Sequence, residues 1–125
     1  MFLLSESEVY ATADAKSYGF AKDHSIPDES RMSKSSAYAK AMRLNSEKDS
    51  KYAGNCLWWL RSPGDLTNIA AYVDYKGYGN SYGDDVDASD RAVRPALHLD
   101  ISASNLWNYA GTVCSDGTVR EVRIE

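Results

Sequence analysis

What this chain has little of narrows its function first. Only two cysteines, Cys56 and Cys114, occur in 125 residues. They fit one disulfide or two small buried hydrophobes, and sequence alone leaves both open. Neither stands in a C-x-x-C spacing, which argues against a zinc knuckle. The two histidines, His24 and His98, are far apart and outside any metal-ligand spacing. Positive charge is not in excess: the formal net charge is -4. A chain of that balance has no basic field to attract phosphates, so nucleic acid is not an expected partner. No apolar run approaches membrane-spanning length, and membrane insertion is not expected. Met1 to Leu4 is apolar but short, without a basic start or a small-residue cleavage site, so it does not read as a signal peptide. The compartment stays open, with cell-surface or phage-associated display compatible with the residues. Repeats and low-complexity tracts are absent.

What is present is ordinary for a folded domain. Hydrophobic residues make up 43% and charged residues 26%, too apolar for disorder and enough for a core. The length fits one domain, 1–125, which buries roughly two-thirds of the surface of its unfolded chain.

Helix signals come first along the chain. Phe2-Leu3-Leu4 reads as a short buried strand. Ser5-Glu6-Ser7-Glu8 carries the S-x-x-E capping box, and a helix is expected from Glu6 to about Lys16, with Val9, Ala13 and Tyr10 inward and Gly19 beyond its end. Residues 20–32 read as a polar loop. A second helix begins at Ser33, Ser35 or Ser36, carries Ala37, Tyr38, Ala41 and Met42 on one stripe, and ends near Asn45. Residues 45–54 form a solvated loop.

Strand signals follow. Cys56 to Arg61 is an aromatic strand, turned by Ser62-Pro63-Gly64. Ala70 to Tyr75 is a second strand, reversed at Lys76-Gly77. Tyr78 to Tyr82 is a third, interrupted by Gly79. Gly83 to Asp90 reads as a loop. Ala92 to Ile101 is a fourth strand, with Pro95 near its start or on an edge. Leu106-Trp107 packs against the rest. Residues 111–113 and 118–124 pair as a hairpin across Ser115-Asp116-Gly117. Helices followed by an antiparallel sheet give an α+β class.

The stretch 57–99 carries the functional signal. Apolar segments at its two ends enclose a polar middle in which Asp65, Thr67, Asn68, Asp74, Tyr75, Tyr78, Asn80, Ser81, Tyr82, Asp84, Asp85, Asp87, Ser89 and Asp90 alternate with framework residues such as Ala70, Val73 and Gly77. Tyrosine supplies contact area at low entropic cost, and serine and asparagine supply adaptable hydrogen bonds, as in antibody loops. Turn propensity explains Asp, Asn, Ser and Gly. It does not explain Tyr75, Tyr78 and Tyr82. These residues are the expected recognition face, and Trp58, Trp59, Arg61, Arg94 and Pro95 are its scaffold. Adjacent strand residues face opposite sides, so one tryptophan fills the core and the other meets a loop, a ligand or a second layer. Arg61 and Arg94 suit holding loops together.

Catalytic and metal readings are weaker. Asp85 and Asp87 match the start of a calcium loop, but the glycine in sixth place and the closing Glu are missing. A solvated acidic loop is the plainer reading. A nucleophile–base pair between a cysteine and a histidine has no local support. The expectation is a non-enzymatic binding module without a cofactor.

The blocks WWLRSPG, AAYV-x-x-x-G and AVRPAL, with FLLSESEV, SSAYAKA and YAGTVCSDGTV, resemble a family of largely uncharacterised bacterial domains abundant in gut bacteria and related to the C-type-lectin and formylglycine-generating-enzyme fold. The resemblance covers nearly the whole chain. It implies a C-type-lectin-like architecture: two helices, then a twisted antiparallel sheet with an irregular ligand-binding face. It also implies a kinship with variable proteins diversified by retroelements, whose adenine-directed mutation draws on the residue types found at 65–90. A protein or glycan ligand is the implied partner. The lectin calcium motifs Glu-Pro-Asn and Trp-Asn-Asp are absent, which argues against calcium-dependent sugar binding. Cys56 and Cys114 do not match the closely spaced cysteines of the formylglycine-generating enzymes, so the alternatives are a constant carbohydrate- or protein-binding surface domain and, behind it, a degenerate enzyme of that kind with Cys56 or Cys114 reactive near a base. Family members usually carry a strand-rich half before FLLS, so the sheet is expected to be incomplete or completed by another chain or copy.

Overall fold

A computed structural model describes residues 1–10, 18–20, 23–48 and 51–98, and the backbone of 112–113 and 119–120. The class is mixed α+β, with two short helices and antiparallel sheets.

The chain enters on β1 (Phe2–Leu3) and turns at once into α1 (Glu6–Val9). The capping residues act as the sequence indicates: the Glu8 carboxylate accepts from the Ser5 backbone N–H at 2.6 Å and from the Ser5 hydroxyl at 2.9 Å. The helix is shorter than expected. Tyr10 leaves helical geometry at φ -128°, because its ring packs against the backbone of Gly79. Residues 11–17, including Ala13 and Lys16, lie outside the described residues.

The second helix, α2 (Ala37–Ala41), starts at Ser36, whose hydroxyl accepts from the Ala39 N–H at 3.1 Å. It stops short of Asn45 because Arg43 takes a left-handed backbone, φ +65°, which an α-helix does not accommodate. Its stripe is turned outward rather than buried: Tyr38 is 75% and Met42 63% exposed.

The core rests on a three-stranded antiparallel sheet, β2 (Trp58–Pro63), β3 (Ile69–Val73) and β4 (Gly79–Asp85). Period-two alternation puts Trp58, Leu60, Ala71 and Val73 on the inner face, all buried with Leu4, Val9 and Tyr10. Burial of each leucine or valine among them contributes roughly 1.5–3 kcal/mol. Gly79 does not interrupt β4. It pairs with Val73, and a methyl group there would overlap the Tyr10 ring.

The strand also continues past Gly83, correcting the expected loop. Between the pairs Tyr72↔Asn80 and Ala70↔Asp84, β4 spends two more residues than β3. Gly83 absorbs that bulge at φ +93°. The β3–β4 turn closes on Asp74, whose carboxylate accepts from the N–H groups of Lys76 and Tyr78 at 2.8 and 2.9 Å. Gly77 sits in it at φ +83°.

No continuous fourth strand runs from Ala92 through the described residues. Ala92 makes a single parallel bridge to Trp58, and only β5 (Pro95–Ala96) pairs, with β1 rather than with the central sheet. Pro95 has no N–H to extend a ladder. The tail hairpin, β6 (Thr112–Val113) with β7 (Val119–Arg120), is antiparallel, pairing Val113 with Val119. Cys114, Leu106 and Trp107 lie outside the described residues.

Residues 23–32 form a loop with turns, as expected, but the loop carries a buried charge that the sequence did not place inside. Arg31 is fully buried. Its Nε donates to the Gly77 carbonyl at 2.6 Å, and its Nη2 donates to the carbonyls of Asp23 and Ile26 at 2.7 and 2.8 Å. The loop is thereby fastened to the β3–β4 turn.

Candidate functional site

The residues of the polar middle divide by what their side chains touch. One group is tied into the framework. Asp74 closes its turn. Asn80 donates from Nδ2 to the Tyr72 hydroxyl at 2.9 Å and accepts from the Gly83 N–H at 3.0 Å. Asp84 and Asp90 both bind Arg91, which contacts them at 2.6 and 2.7 Å. Arg91 reaches Asp84 through Nε as well as Nη2. That guanidinium holds the Asp84 carboxyl below its ordinary range. Asn68 donates to Asp85 at 2.9 Å across the end of the sheet.

A second group faces solvent. Asp65, Thr67, Asn68, Ser81, Tyr82, Asp85, Asp87 and Ser89 are all exposed, and Tyr82 is exposed to 73%. Tyr82 stands at the Gly83 bulge, where its carbonyl accepts from the Asp65 N–H at 3.0 Å. That bond brings the 65–68 turn beside the end of β4, and a further bond from the Val86 N–H to the Asn68 carbonyl draws in 86–89. One end of the sheet therefore gathers most of the exposed group.

Tyr75 and Tyr78 are not there. Both belong to the opposite end, by the β3–β4 turn, and both are half-buried. Tyr75 meets the ring of Tyr52 at 6.3 Å and borders a recess with residues of the 45–48 loop. The three tyrosines thus do not form one cluster.

The outer face of the sheet carries a row of which the sequence singled out only Asn80 as a contact. Trp59, Tyr72 and Asn80 are in register across β2, β3 and β4. The Trp59 and Tyr72 rings meet edge-to-face at 6.4 Å. Burial pushes the Tyr72 hydroxyl up, and the nearby Asp84 and Asp74 carboxylates push it the same way. Tyr72 and Arg91 hold Asn80, Asp84 and Asp90 in place, a supporting role that residue type alone did not reveal. Arg91 had one available signal, its place beside Asp90.

The expected scaffold residues have distinct positions. Trp58 is fully buried and Trp59 half-buried. Arg61 pairs with Glu8 at 2.9 Å on the surface. Arg94 lies 5.0 Å over the Trp58 ring and donates to the Arg31 carbonyl at 3.3 Å. Pro95 pairs with Leu3.

The catalytic and metal readings gain little from these positions. Cys56 is a free thiol, 1% exposed, donating to the Ser33 carbonyl at 3.3 Å. Burial pushes its pKa up, away from the thiolate form. It lies under a groove of about 360 Å³ beside α2, which of the expected recognition residues only Ser89 borders. His24 packs by Tyr10 at 5.5 Å, and His98 stacks on Phe2 at 4.8 Å. Among the described residues no group of three or more His, Cys, Asp or Glu is placed to hold a metal ion. That count includes Asp85 and Asp87.

A search of the curated proteins and a search of the solved structures each found no match. A family model does match, over residues 1–101, a span that contains both helices, the central sheet and every candidate recognition residue. The chain belongs to the family described as a domain of unknown function, DUF6273.

Proposed function

We propose that this domain is a non-enzymatic ligand-binding module of C-type-lectin-like architecture. Its recognition surface is the end of the sheet formed by Asp65, Thr67, Asn68, Ser81, Tyr82, Asp85, Asp87 and Ser89. One observation carries the proposal: exposed polar residues gather beside framework-bonded ones at the Gly83 bulge, and only the Asn68–Asp85 pair belongs to both groups. A binding surface on a rigid support needs that division, because ligand contacts must change without loss of the fold. Asp74, Asn80, Asp84 and Asp90 are support, not contact.

We further propose that the exposed set varies, as in proteins diversified by retroelements. Substitutions at exposed positions without structural bonds generally cost less than about 0.5 kcal/mol, so this surface tolerates variation. The constant alternative, a fixed protein- or glycan-binding domain, is favoured by the internal bonds at nearly half of the polar positions, which restrict what can vary.

Deep sequencing of this coding segment across a population grown from its source separates the two. Adenine-confined substitutions at Asp65, Thr67, Ser81, Tyr82, Asp87 and Ser89, with Asp74, Asn80 and Asp84 constant, support diversification. A uniform sequence in a population with active diversification elsewhere overturns it, and glycans and surface proteins would then be screened against a fixed site.

A further inference from the structure

The groove of about 360 Å³ beside α2 runs between that helix and the chain at 91–93. Tyr38, Met42 and Val93 border it and are mostly exposed, and the half-buried Ala39, Leu44 and Ala92 complete its apolar lining. Scattered apolar side chains on a surface mean little, but several around one concavity mark an interaction site. Both walls are pinned. The Asn45 N–H donates to the Asp90 carbonyl at 3.1 Å, which ties the chain after α2 to the other wall. The Ala92 N–H donates to the Leu57 carbonyl at 2.8 Å, and its carbonyl accepts from the Trp59 N–H at 3.0 Å.

That second wall leaves a backbone position open. Successive residues of an extended run aim their bonding groups to opposite sides. Ala92 turns both of its groups to β2, so those of Val93 face away from β2. Among the described residues they make no backbone hydrogen bond. An added extended chain is the partner that such a position takes, through main-chain bonds with alternate side chains seated in pockets.

Charge narrows the partner further. Lys34 and Arg91 border the groove, and no carboxylate does. Arg91 is already held by Asp84 and Asp90, whereas Lys34 pairs with no acid among the described residues. The run 33–46 contains Lys34, Lys40 and Arg43 and no Asp or Glu, in a chain of net charge -4. A local positive field of this kind draws acidic partners and repels basic ones. An anionic membrane would answer the charge, but a flat surface would leave the concavity and the Val93 backbone unused.

We infer that this groove docks an extended acidic peptide segment of a partner protein. One bulky apolar side chain enters between Tyr38, Met42 and Val93, the peptide backbone pairs with Val93, and its carboxylates face Lys34. The groove meets the recognition surface proposed above only at Ser89 and does not rest on that surface binding anything.

Fluorescence anisotropy of the folded chain tests it, with labelled seven-residue peptides carrying a central Leu, Met, Phe or Trp flanked by Asp and Glu. At least one should bind saturably with a Kd below about 200 μM, and its Lys-flanked counterpart at least tenfold more weakly. Tyr38→Ser and Met42→Ser should each weaken the acidic peptide about five- to tenfold. Lys34→Glu should weaken it too and strengthen the Lys-flanked one. All three positions are exposed, so melting temperatures should hold, and the exposed apolar control Ile26→Ser should bind normally. Should Tyr38→Ser fail to fold, Met42→Ser and Lys34→Glu decide. No saturation by any of the four acidic peptides up to about 2 mM overturns the inference. Binding that survives all three substitutions, or methylation of the peptide's backbone nitrogens, overturns it equally. Phosphatidylserine vesicles bound in place of the peptides would give the face to a membrane, and a dimer abolished by Met42→Ser would give it to a second copy; either result overturns it.

Discussion

Trp58 and Arg31 are joined through the centre of the molecule. The Trp58 indole N–H donates to the Arg31 carbonyl at 3.0 Å, and both residues are fully buried. The Arg31 guanidinium meanwhile holds three other carbonyls, those of Gly77, Asp23 and Ile26. One residue therefore links the first loop, the core tryptophan and the β3–β4 turn.

Removal of that link should be severe. Arg31→Met leaves the buried Gly77 carbonyl without its donor and removes two part-buried bonds to the Asp23 and Ile26 carbonyls, a loss on the order of 3 kcal/mol. Arg31→Lys should recover only part of it, because an ammonium lacks the planar fork that reaches several carbonyls at once. Denaturant midpoints of the two variants check both statements. Equal, small losses would show that the loop is not fastened by Arg31.

Gly79→Ala should destabilise through Tyr10. The added methyl group overlaps the Tyr10 ring, and overpacking of this kind costs about 1–3 kcal/mol. A double-mutant cycle with Tyr10→Ala reads the coupling: Gly79→Ala should be far less harmful once the ring is gone. Additive losses would place the penalty in the strand backbone instead.

Tyr82→Ala should leave the melting temperature nearly unchanged, since its side chain is exposed at the bulge, and should weaken any ligand held by the recognition surface. Tyr78→Ala should lower stability, being half-buried beside the turn. Thermal melts of the two single variants separate surface from support. A large melting shift for Tyr82→Ala would remove it from the proposed surface.

The Asp84–Arg91 contact gives a pH signature. The Asp84 folded pKa lies below the unfolded carboxylate value, near 4. The unfolded chain therefore binds the proton more readily, and stability rises with pH through that interval. The contribution is complete above the unfolded pKa and disappears as pH falls through the folded one. Arg91→Gln should move the Asp84 midpoint upward in a carboxyl NMR titration and flatten the acid limb of the stability curve.

Cys56 should resist thiol reagents in the folded state. In a Cys114→Ser background, labelling by a disulfide reagent should proceed only at the rate of opening and become fast in denaturant. Rapid labelling of the folded chain would favour an enzyme with a reactive cysteine over a binding module.

Local grammar was legible in the sequence. The Ser5–Glu8 cap, a second helix start at one of Ser33, Ser35 or Ser36, the alternation that sends one of Trp58 and Trp59 to the core, the Lys76-Gly77 reversal and the tail hairpin each rest on neighbours in the chain, and neighbours are what sequence displays. Membership of a family of uncharacterised domains was expected as well, and a family model over residues 1–101 shows it. The outcome at long range was not legible. Nothing in the residues 23–32 indicates that Arg31 would be buried, since its partners are carbonyls brought near only by folding. Apart from Asp90 beside it, the run Asp84 to Asp90 gives no sign of which acid Arg91 would claim, and Gly79 reads as a break until Tyr10 is seen against it. The sequence by itself determined which residues were available for recognition. Only the tertiary structure decided which of them support the surface and which form it, because pairing depends on distances across strands that spacing along the chain does not contain.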